Sequence, residues 1–379
     1  MITIKKVGMI TCYIDNYGAC LQAYALMTSI QKLGHSCVII RFQGAPGYPA
    51  RNLKQLVKKI PGVQFFRKKI LGATHVNHLR DKKFNLFRKT YLNFTKEVWY
   101  SGQEIVNMPP KDFDCYVCGS DQVWNPYIYQ RNLHVAFLDF APPGVFRISY
   151  APSIGVPEYP AEYLDELKRL VNKMNFISVR EKEGKDILKK VTNKDVRVVL
   201  DPTLLLNIDE WRKIAVMPKV NQPYIFCYVF GNNSLVIELI EYTREKTGFE
   251  VITVPYTEKM FESTYTKVED AGPRDFLGLI SNAELIITDS FHGLAFSLNF
   301  NKKFYATLRH SNNDKESMNS RIFNILRMTG TECRLVTDKE QFPQNPLSEI
   351  DIHEINKLLQ EKRASDIMYL QYALENERM

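Results

Sequence analysis

Apolar residues in this chain fall into short runs that alternate with stretches at helical spacing, and the alternation continues almost from end to end. Residues 4–11 read as a strand and 19–33 as a helix, with Leu21, Tyr24, Ala25, Thr28 and Leu33 near a 3.6-residue period and Gly34 as its stop. Residues 38–42 supply a second strand, and Ala45-Pro46-Gly47-Tyr48-Pro49 then breaks the pattern. Strands predicted at 113–118, 148–152, 176–179 and 196–200 alternate with helices at 161–174 and 182–190. A polar, proline-containing stretch at 207–223 interrupts the series. A second series follows it: strand 224–230, a helix capped by Ser234 and running to about residue 246, strand 251–255, helix 274–282, and strands 285–287 and 303–305. Strands that alternate with helices in this way imply an α/β protein with mostly parallel sheets. A chain of 379 residues is longer than one hydrophobic core usually organises. The expected division is 1–210, with a helical insertion at about 50–110; 220–345; and a charged C-terminal helix at 350–379 that crosses back to the first domain.

One strand end stands out chemically. The apolar run Leu285-Ile286-Ile287 passes into Thr288-Asp289-Ser290-Phe291-His292-Gly293 and then into a helical stretch, which places His292 where a buried strand hands over to a helix. Open α/β sheets hold ligands at the carboxyl ends of their strands, and a helix start there suits an anion. A histidine beside such an anion can move protons near neutral pH. The competing structural role is that Asp289 or Ser290 caps the helix and His292 packs beneath it. Arg180 likewise follows a strand and precedes a helix, where its guanidinium can grip a carboxylate or phosphate with two donors, or pair with Glu181 or Glu183.

Composition narrows the class. Hydrophobic content of 45% and charged content of 24% are those of a globular protein and exclude dominant disorder. The N-terminus has no signal-peptide pattern, and no window reaches the ~18 apolar residues of a spanning helix, so a cytoplasmic protein is expected. Seven scattered cysteines suit reduced thiols. Cys115 and Cys118 form a C-x-x-C on a predicted strand, where packing is the expected role, and nothing else has the spacing of a metal site. The net charge of +8 is concentrated between Arg51 and Thr90, which holds twelve Lys or Arg against Asp81 alone. Apolar residues interleave with these charges, so residues 51–89 suit an anionic membrane surface or a lipid-linked pyrophosphate, or else form a solvated helical insertion. No nucleic-acid-binding module accompanies them.

Several segments together carry a family resemblance. Asn16-Tyr17-Gly18-Ala19-Cys20-Leu21-Gln22-Ala23, Gly119-Ser120-Asp121-Gln122-Val123-Trp124-Asn125, Ile177-Ser178-Val179-Arg180-Glu181, Val199-Leu200-Asp201-Pro202-Thr203 and Thr288-Asp289-Ser290-Phe291-His292-Gly293 occur in that order. In order and spacing they resemble the polysaccharide pyruvyl transferase family over roughly residues 5–330. The resemblance implies two Rossmann-like domains facing across a cleft in the GT-B manner, phosphoenolpyruvate as donor and a sugar hydroxyl pair as acceptor. It implies no resident cofactor or metal; a polyprenyl-pyrophosphate-linked sugar at the inner face of the membrane is one form of acceptor. His292 is then the general acid or base, and Arg180 a donor-binding cation. Many family members carry an arginine two residues before the histidine, where this chain has Ser290. Serine can hydrogen-bond a phosphate but not neutralise it, so either the donor differs or the charge comes from elsewhere; Lys303, Arg309, Lys315 and Arg321 can supply it, with Arg321 the first choice. Asn16, Tyr17, Gly18, Ser120, Asp121, Trp124 and Asp289 are the expected acceptor or cleft residues. Two rivals remain at this stage: a GT-B glycosyltransferase using a nucleotide-sugar, and a non-catalytic glycan-binding relative.

Overall fold

The computed structural model describes residues 4–44, 77–231, 233–309 and 319–376. The first sheet is parallel, in the order β3-β2-β1-β4-β5, from β1 (Lys6–Ile10), β2 (Ser36–Phe42), β3 (Phe94–Trp99), β4 (Cys115–Cys118) and β5 (Phe146–Ser149). It continues into the pair β6 (Ile177–Val179) and β7 (Val196–Val198) through a bridge from Ile148 to Phe176. Side-chain hydroxyls stitch this seam: Ser149 Oγ donates to the Ser178 carbonyl at 2.9 Å, and Ser178 Oγ to the Ser149 carbonyl at 2.7 Å. The second sheet, also parallel, runs β10-β9-β8-β11-β12-β13. Its strands are β8 (Tyr224–Tyr228), β9 (Glu250–Thr253), β10 (Thr266–Lys267), β11 (Leu285–Thr288), β12 (Lys303–Thr307) and β13 (Leu335–Val336). Each sheet reverses its strand order once, between β1 and β4 and between β8 and β11, and a Rossmann-type sheet binds its ligand at that reversal. The expected α/β architecture of two Rossmann-like halves is the one observed.

The two halves share a hydrophobic core. One continuous cluster of buried residues reaches from Val7 and Leu26 on the first sheet to Phe226, Ile286 and Phe304 on the second. Tyr17, at the start of the helix Tyr17–Lys32, donates from its hydroxyl to the Ala271 carbonyl at 2.8 Å and stacks on Phe276 with ring centroids 4.7 Å apart. Asn299 Nδ2 donates to the carbonyls of Thr203 and Leu206, each at 2.9 Å. The helix Ile352–Glu375 then returns to the first half, where Asp366 accepts from the Leu200 amide at 2.7 Å and Lys362 Nζ donates to the Val198 carbonyl at 2.8 Å.

The structure departs from the sequence reading in one region that matters for the domain plan. Residues 94–107 are not part of a helical insertion: Phe94–Trp99 is the edge strand of the first sheet, followed by the helix Gly102–Asn107. Its sequence, FTKEVW, is half polar because only one side of an edge strand packs, so it carries no apolar run. Upstream of it the helix His78–Tyr91 buries Phe84 and Phe87. Its Lys83 pairs with Asp270 and Asp275 of the second half, and Arg88 with Asp15. Most of the basic stretch, 51–76, lies outside the described residues, as does the membrane contact expected of it. Among the described residues, no helix is long and apolar enough to cross a membrane.

Candidate active site

The carboxyl ends of β1 and β4 meet those of β8 and β11 across the cleft, and the polar residues gathered there are buried. His292 lies in the first turn of the helix Phe291–Asn299, whose cap is Ser290 accepting from the Gly293 amide. A serine fits this place because its oxygen satisfies an amide that the helix start leaves unpaired. The cap uses one acceptor site of that hydroxyl and leaves its proton available. The His292 ring packs against the turn that opens the first helix: a Cβ on Gly18 would stand 2.0 Å from Nδ1, so only glycine admits the imidazole. Nε2 faces the first half, 3.8 Å from Asp201 Oδ2, buried and without a hydrogen-bond partner.

Asp201 is the hub of the cluster. Its side chain is fully buried, and one oxygen accepts from the Thr203 amide at 3.0 Å and the Thr203 hydroxyl at 2.8 Å. The other accepts from Arg180 Nη1 at 2.7 Å and lies 2.9 Å from the Ser120 hydroxyl. Burial pushes this carboxyl up, but His292 when protonated, the Arg180 charge and the Thr203 amide bring it below the ordinary carboxylate range. Sequence reasoning passed over Asp201 as a site residue. Locally it caps a short 3-10 turn, and its partners at Ser120, Arg180 and His292 are far away in sequence.

Arg180 extends from the end of β6 with its side chain 2% exposed and its guanidinium 4.5 Å above the Phe291 ring. Nε and Nη2 are buried without hydrogen-bond partners. Asp121 Oδ1 stands 4.0 Å from Nη2 and Glu181 Oε2 3.9 Å from Nε, both beyond bonding range. Glu181 is committed through its other oxygen, which accepts from Ser153 Oγ and the amides of Ile154 and Gly155. Glu183, the other expected partner, instead accepts from Asn324. Asp121 sits in the left-handed region at φ 71°, an uncommon conformation for a non-glycine residue and one that clusters at functional sites.

Arg321, in the first turn of the helix Ser320–Thr329, completes the group from the second half. Burial, and then the like charge of Arg180, bring its pKa down to about 9 against the pull of Asp121 and Glu181. A guanidinium does not give up its proton in a protein, so the depression expresses the cost of burying this charge beside Arg180. The His292 ring is lowered from the ordinary histidine range chiefly by burial, with Asp201 and Asp121 pulling it back up, so it is neutral at pH 7.

Of the other candidate cations one stays near the cluster: Arg309, whose charge acts on Arg321 and whose buried Nε has no hydrogen-bond partner. Lys303 pairs with Glu349 at 2.7 Å, Arg309 lies over the Phe230 ring with Nη2 3.7 Å from Asp289, and Lys315 is outside the described residues. Four of the residues expected to line the acceptor side are structural. Asn16 accepts from the Ala19 amide as a helix cap, and Tyr17 is buried between the halves. Trp124 is fully buried, stacked on Phe137 at 4.2 Å, and no sugar reaches it. Asp289 accepts from the amides of Phe230 and Gly231 at 2.8 and 2.6 Å, tying β8 to β11. Gly18, Ser120 and Asp121 remain at the cluster. Cys115 and Cys118 are buried free thiols within β4, and burial pushes Cys115 up to about 12. Among the described residues, no group of His, Cys, Asp and Glu is placed to hold a metal ion.

Beside the cluster lies a cavity of about 170 Å³, bounded by Arg180, Asp201, Phe291, Arg321 and the C-terminal helix at Lys362. That is below the ~300 Å³ at which drug-sized ligand sites begin.

Solved structures with the same arrangement of two facing Rossmann-like halves support the GT-B-like fold. A UDP-N-acetylglucosamine 2-epimerase described as putative, from Listeria monocytogenes, aligns with 98% of this chain and 94% of its own at 12% identity and a TM-score of 0.50. A structure titled as the S. aureus MnaA-UDP co-structure aligns over 99% of this chain and 92% of its own, at 12% identity and a TM-score of 0.50. Identities this low carry the fold and nothing about the reaction. No curated protein gives a significant match to the chain. The family model for polysaccharide pyruvyl transferase, however, matches residues 16–311, a span that contains Gly18, Asp121, Arg180, Asp201 and His292, and the chain belongs to that family.

Proposed function

We propose that the protein transfers the pyruvyl group of phosphoenolpyruvate to two hydroxyls of a sugar, with Arg180 and Arg321 holding the donor and His292 moving the protons. The observation that carries this reading is a buried guanidinium with two unpartnered nitrogens beside a buried imidazole with an unpartnered nitrogen, both anchored on Asp201. Buried donors without partners are costly, and a carboxylate or phosphate bound at Arg180 would satisfy them. The small adjoining cavity suits a three-carbon phosphorylated acid better than a nucleotide-sugar. At the reversal point of the second sheet, moreover, the strand-end amides that could cradle a diphosphate are already taken by Asp289, whose charge would repel one.

In the proposed reaction one sugar hydroxyl adds its oxygen to C2 of the donor while a proton is delivered to the methylene carbon, which becomes the methyl group. The second hydroxyl oxygen then bonds to C2, the bond from C2 to the phosphate oxygen breaks, and the hydroxyl proton leaves with inorganic phosphate. His292, neutral at pH 7, accepts a proton from a hydroxyl and returns it, and Asp201 positions the ring from 3.8 Å. The acceptor would sit at the mouth of the cleft by Gly18 and Asp121; a lipid-linked sugar met by residues 51–89 at a membrane is the form that their charge suggests. Release of inorganic phosphate from phosphoenolpyruvate, supplied with a panel of diol-bearing sugars and glycans, tests the reaction. Absence of phosphate release with every sugar in the panel, together with tight glycan binding, would instead favour a non-catalytic relative.

Arg321→Met is expected to weaken phosphoenolpyruvate binding by about tenfold or more, because a charge-assisted contact to the donor is lost. Isothermal titration of the variant checks this. An unchanged donor constant would show that the charge absent at Ser290 is supplied by another residue.

A further inference from the structure

We propose that the cavity against the C-terminal helix receives the phosphate group of the donor, and afterwards the inorganic phosphate product, with Lys362 as its third cation. The inference rests on the donor reading above and adds to it a residue and an element that nothing in the family motifs marks. At about 170 Å³ the cavity has space for a tetrahedral oxyanion. Its apolar walls include Phe291, Leu204, Ile325 and Met328, so charges that face it are poorly screened.

The polar groups on the wall divide into those already engaged and those with capacity left. Both oxygens of Asp201 are filled by Arg180, Ser120 and Thr203. Asn324 is committed as well: its amide nitrogen donates to Glu183 and the Ser320 carbonyl, and its oxygen accepts from the Lys182 amide. Arg180 has Nε and Nη2 unused. Lys362 donates to Asp366 Oδ1 at 2.6 Å and to the Val198 carbonyl at 2.8 Å, and an ammonium has a third proton. Asp366 is itself fixed by the Leu200 amide, so the pair holds the ammonium at the end of β7, on the cavity wall. Three cations, Arg180, Arg321 and Lys362, thus meet at this wall, with Asp201 holding the first and Asp366 the last. The planar fork of Arg180 matches a carboxylate, while the compact ammonium of Lys362 matches one oxygen of a phosphate. Cleavage of the bond from C2 to oxygen would leave phosphate in the cavity, so phosphate should compete with the donor.

Isothermal titration of the full chain with phosphoenolpyruvate, inorganic phosphate and pyruvate tests this, using Lys362→Gln, Lys362→Arg and Arg180→Lys beside the wild type. Pyruvate carries the carboxylate without the phosphate, which separates a direct contact from a loosened helix. Lys362→Gln is expected to weaken phosphate and phosphoenolpyruvate by about tenfold and leave pyruvate unchanged, with Lys362→Arg close to wild type. If all three ligands weaken together, Lys362 only fastens the helix and the proposal is overturned. If Lys362→Gln binds phosphate normally while Arg180→Lys loses phosphoenolpyruvate, the phosphate pocket is wrong and the donor site stands. A wild type that binds neither phosphate nor phosphoenolpyruvate defeats the donor reading itself, and this inference with it.

Discussion

His292→Ala is expected to lower turnover by about 10²- to 10⁴-fold while changing donor affinity only a few-fold, because a general acid–base group contributes to the transition state rather than to binding. The ring stands at the cleft against Gly18 with Nε2 unpartnered, so removing it breaks no hydrogen bond that holds the fold. Turnover by the variant at the wild-type rate would remove His292 from the mechanism. The pH profile adds a second readout. Burial lowers the ring pKa and Asp201 partly restores it, so the acid limb of the rate should lie below the ordinary histidine range. In Asp201→Asn the restoring charge is gone, and that limb should move to still lower pH, with a reduced rate because Arg180 also loses its anchor. A limb that stays where it was would place Asp201 outside the proton balance.

Arg180→Lys should weaken phosphoenolpyruvate about tenfold to a hundredfold and leave acceptor affinity nearly intact. Lysine keeps a charge beside Asp201, so the buried carboxylate is not orphaned, but it loses the planar arrangement that presents Nε and Nη2 to the ligand. Truncation to methionine is a poorer probe, since an unpaired Asp201 in the core costs about 3–5 kcal/mol and confounds binding with folding. Donor and acceptor constants measured side by side in Arg180→Lys separate the two roles. Unchanged donor affinity would make this buried pair purely structural.

Much of this architecture is legible in the sequence because buried parallel strands are short apolar runs between helices. β8 and β11 announce themselves in that way, and the polar turn that follows β11 leads to His292, the proposed acid or base. His292 and Arg180 are visible for the same reason: each directly follows a strand end. What a linear reading misses is direction and long-range pairing. Trp124 and Tyr17 adjoin polar turns and look like sugar platforms, yet both rings turn into the core. Asp289 is polar at the cleft but both its oxygens accept from backbone amides, and Asn16 gives its oxygen to a helix cap. Asp201 escapes notice because only one of its oxygens has local partners, and its partners at Ser120, Arg180 and His292 are remote in sequence. β3 stays hidden because an edge strand packs on one side and keeps its polar residues, and Lys362 because it sits on a charged helix whose docking no local pattern reveals.

The most direct test of the donor assignment is thermal unfolding of the wild type and Arg180→Lys with phosphoenolpyruvate or a UDP-sugar. Binding to the folded state alone stabilises it by about 2.7 kcal/mol at a ligand concentration one hundred times Kd. Phosphoenolpyruvate is expected to raise the wild-type midpoint in a concentration-dependent way, with a much smaller rise in Arg180→Lys and none from the UDP-sugar in either. A midpoint raised by the UDP-sugar and unmoved by phosphoenolpyruvate would contradict the assignment and make the cleft a nucleotide-sugar site.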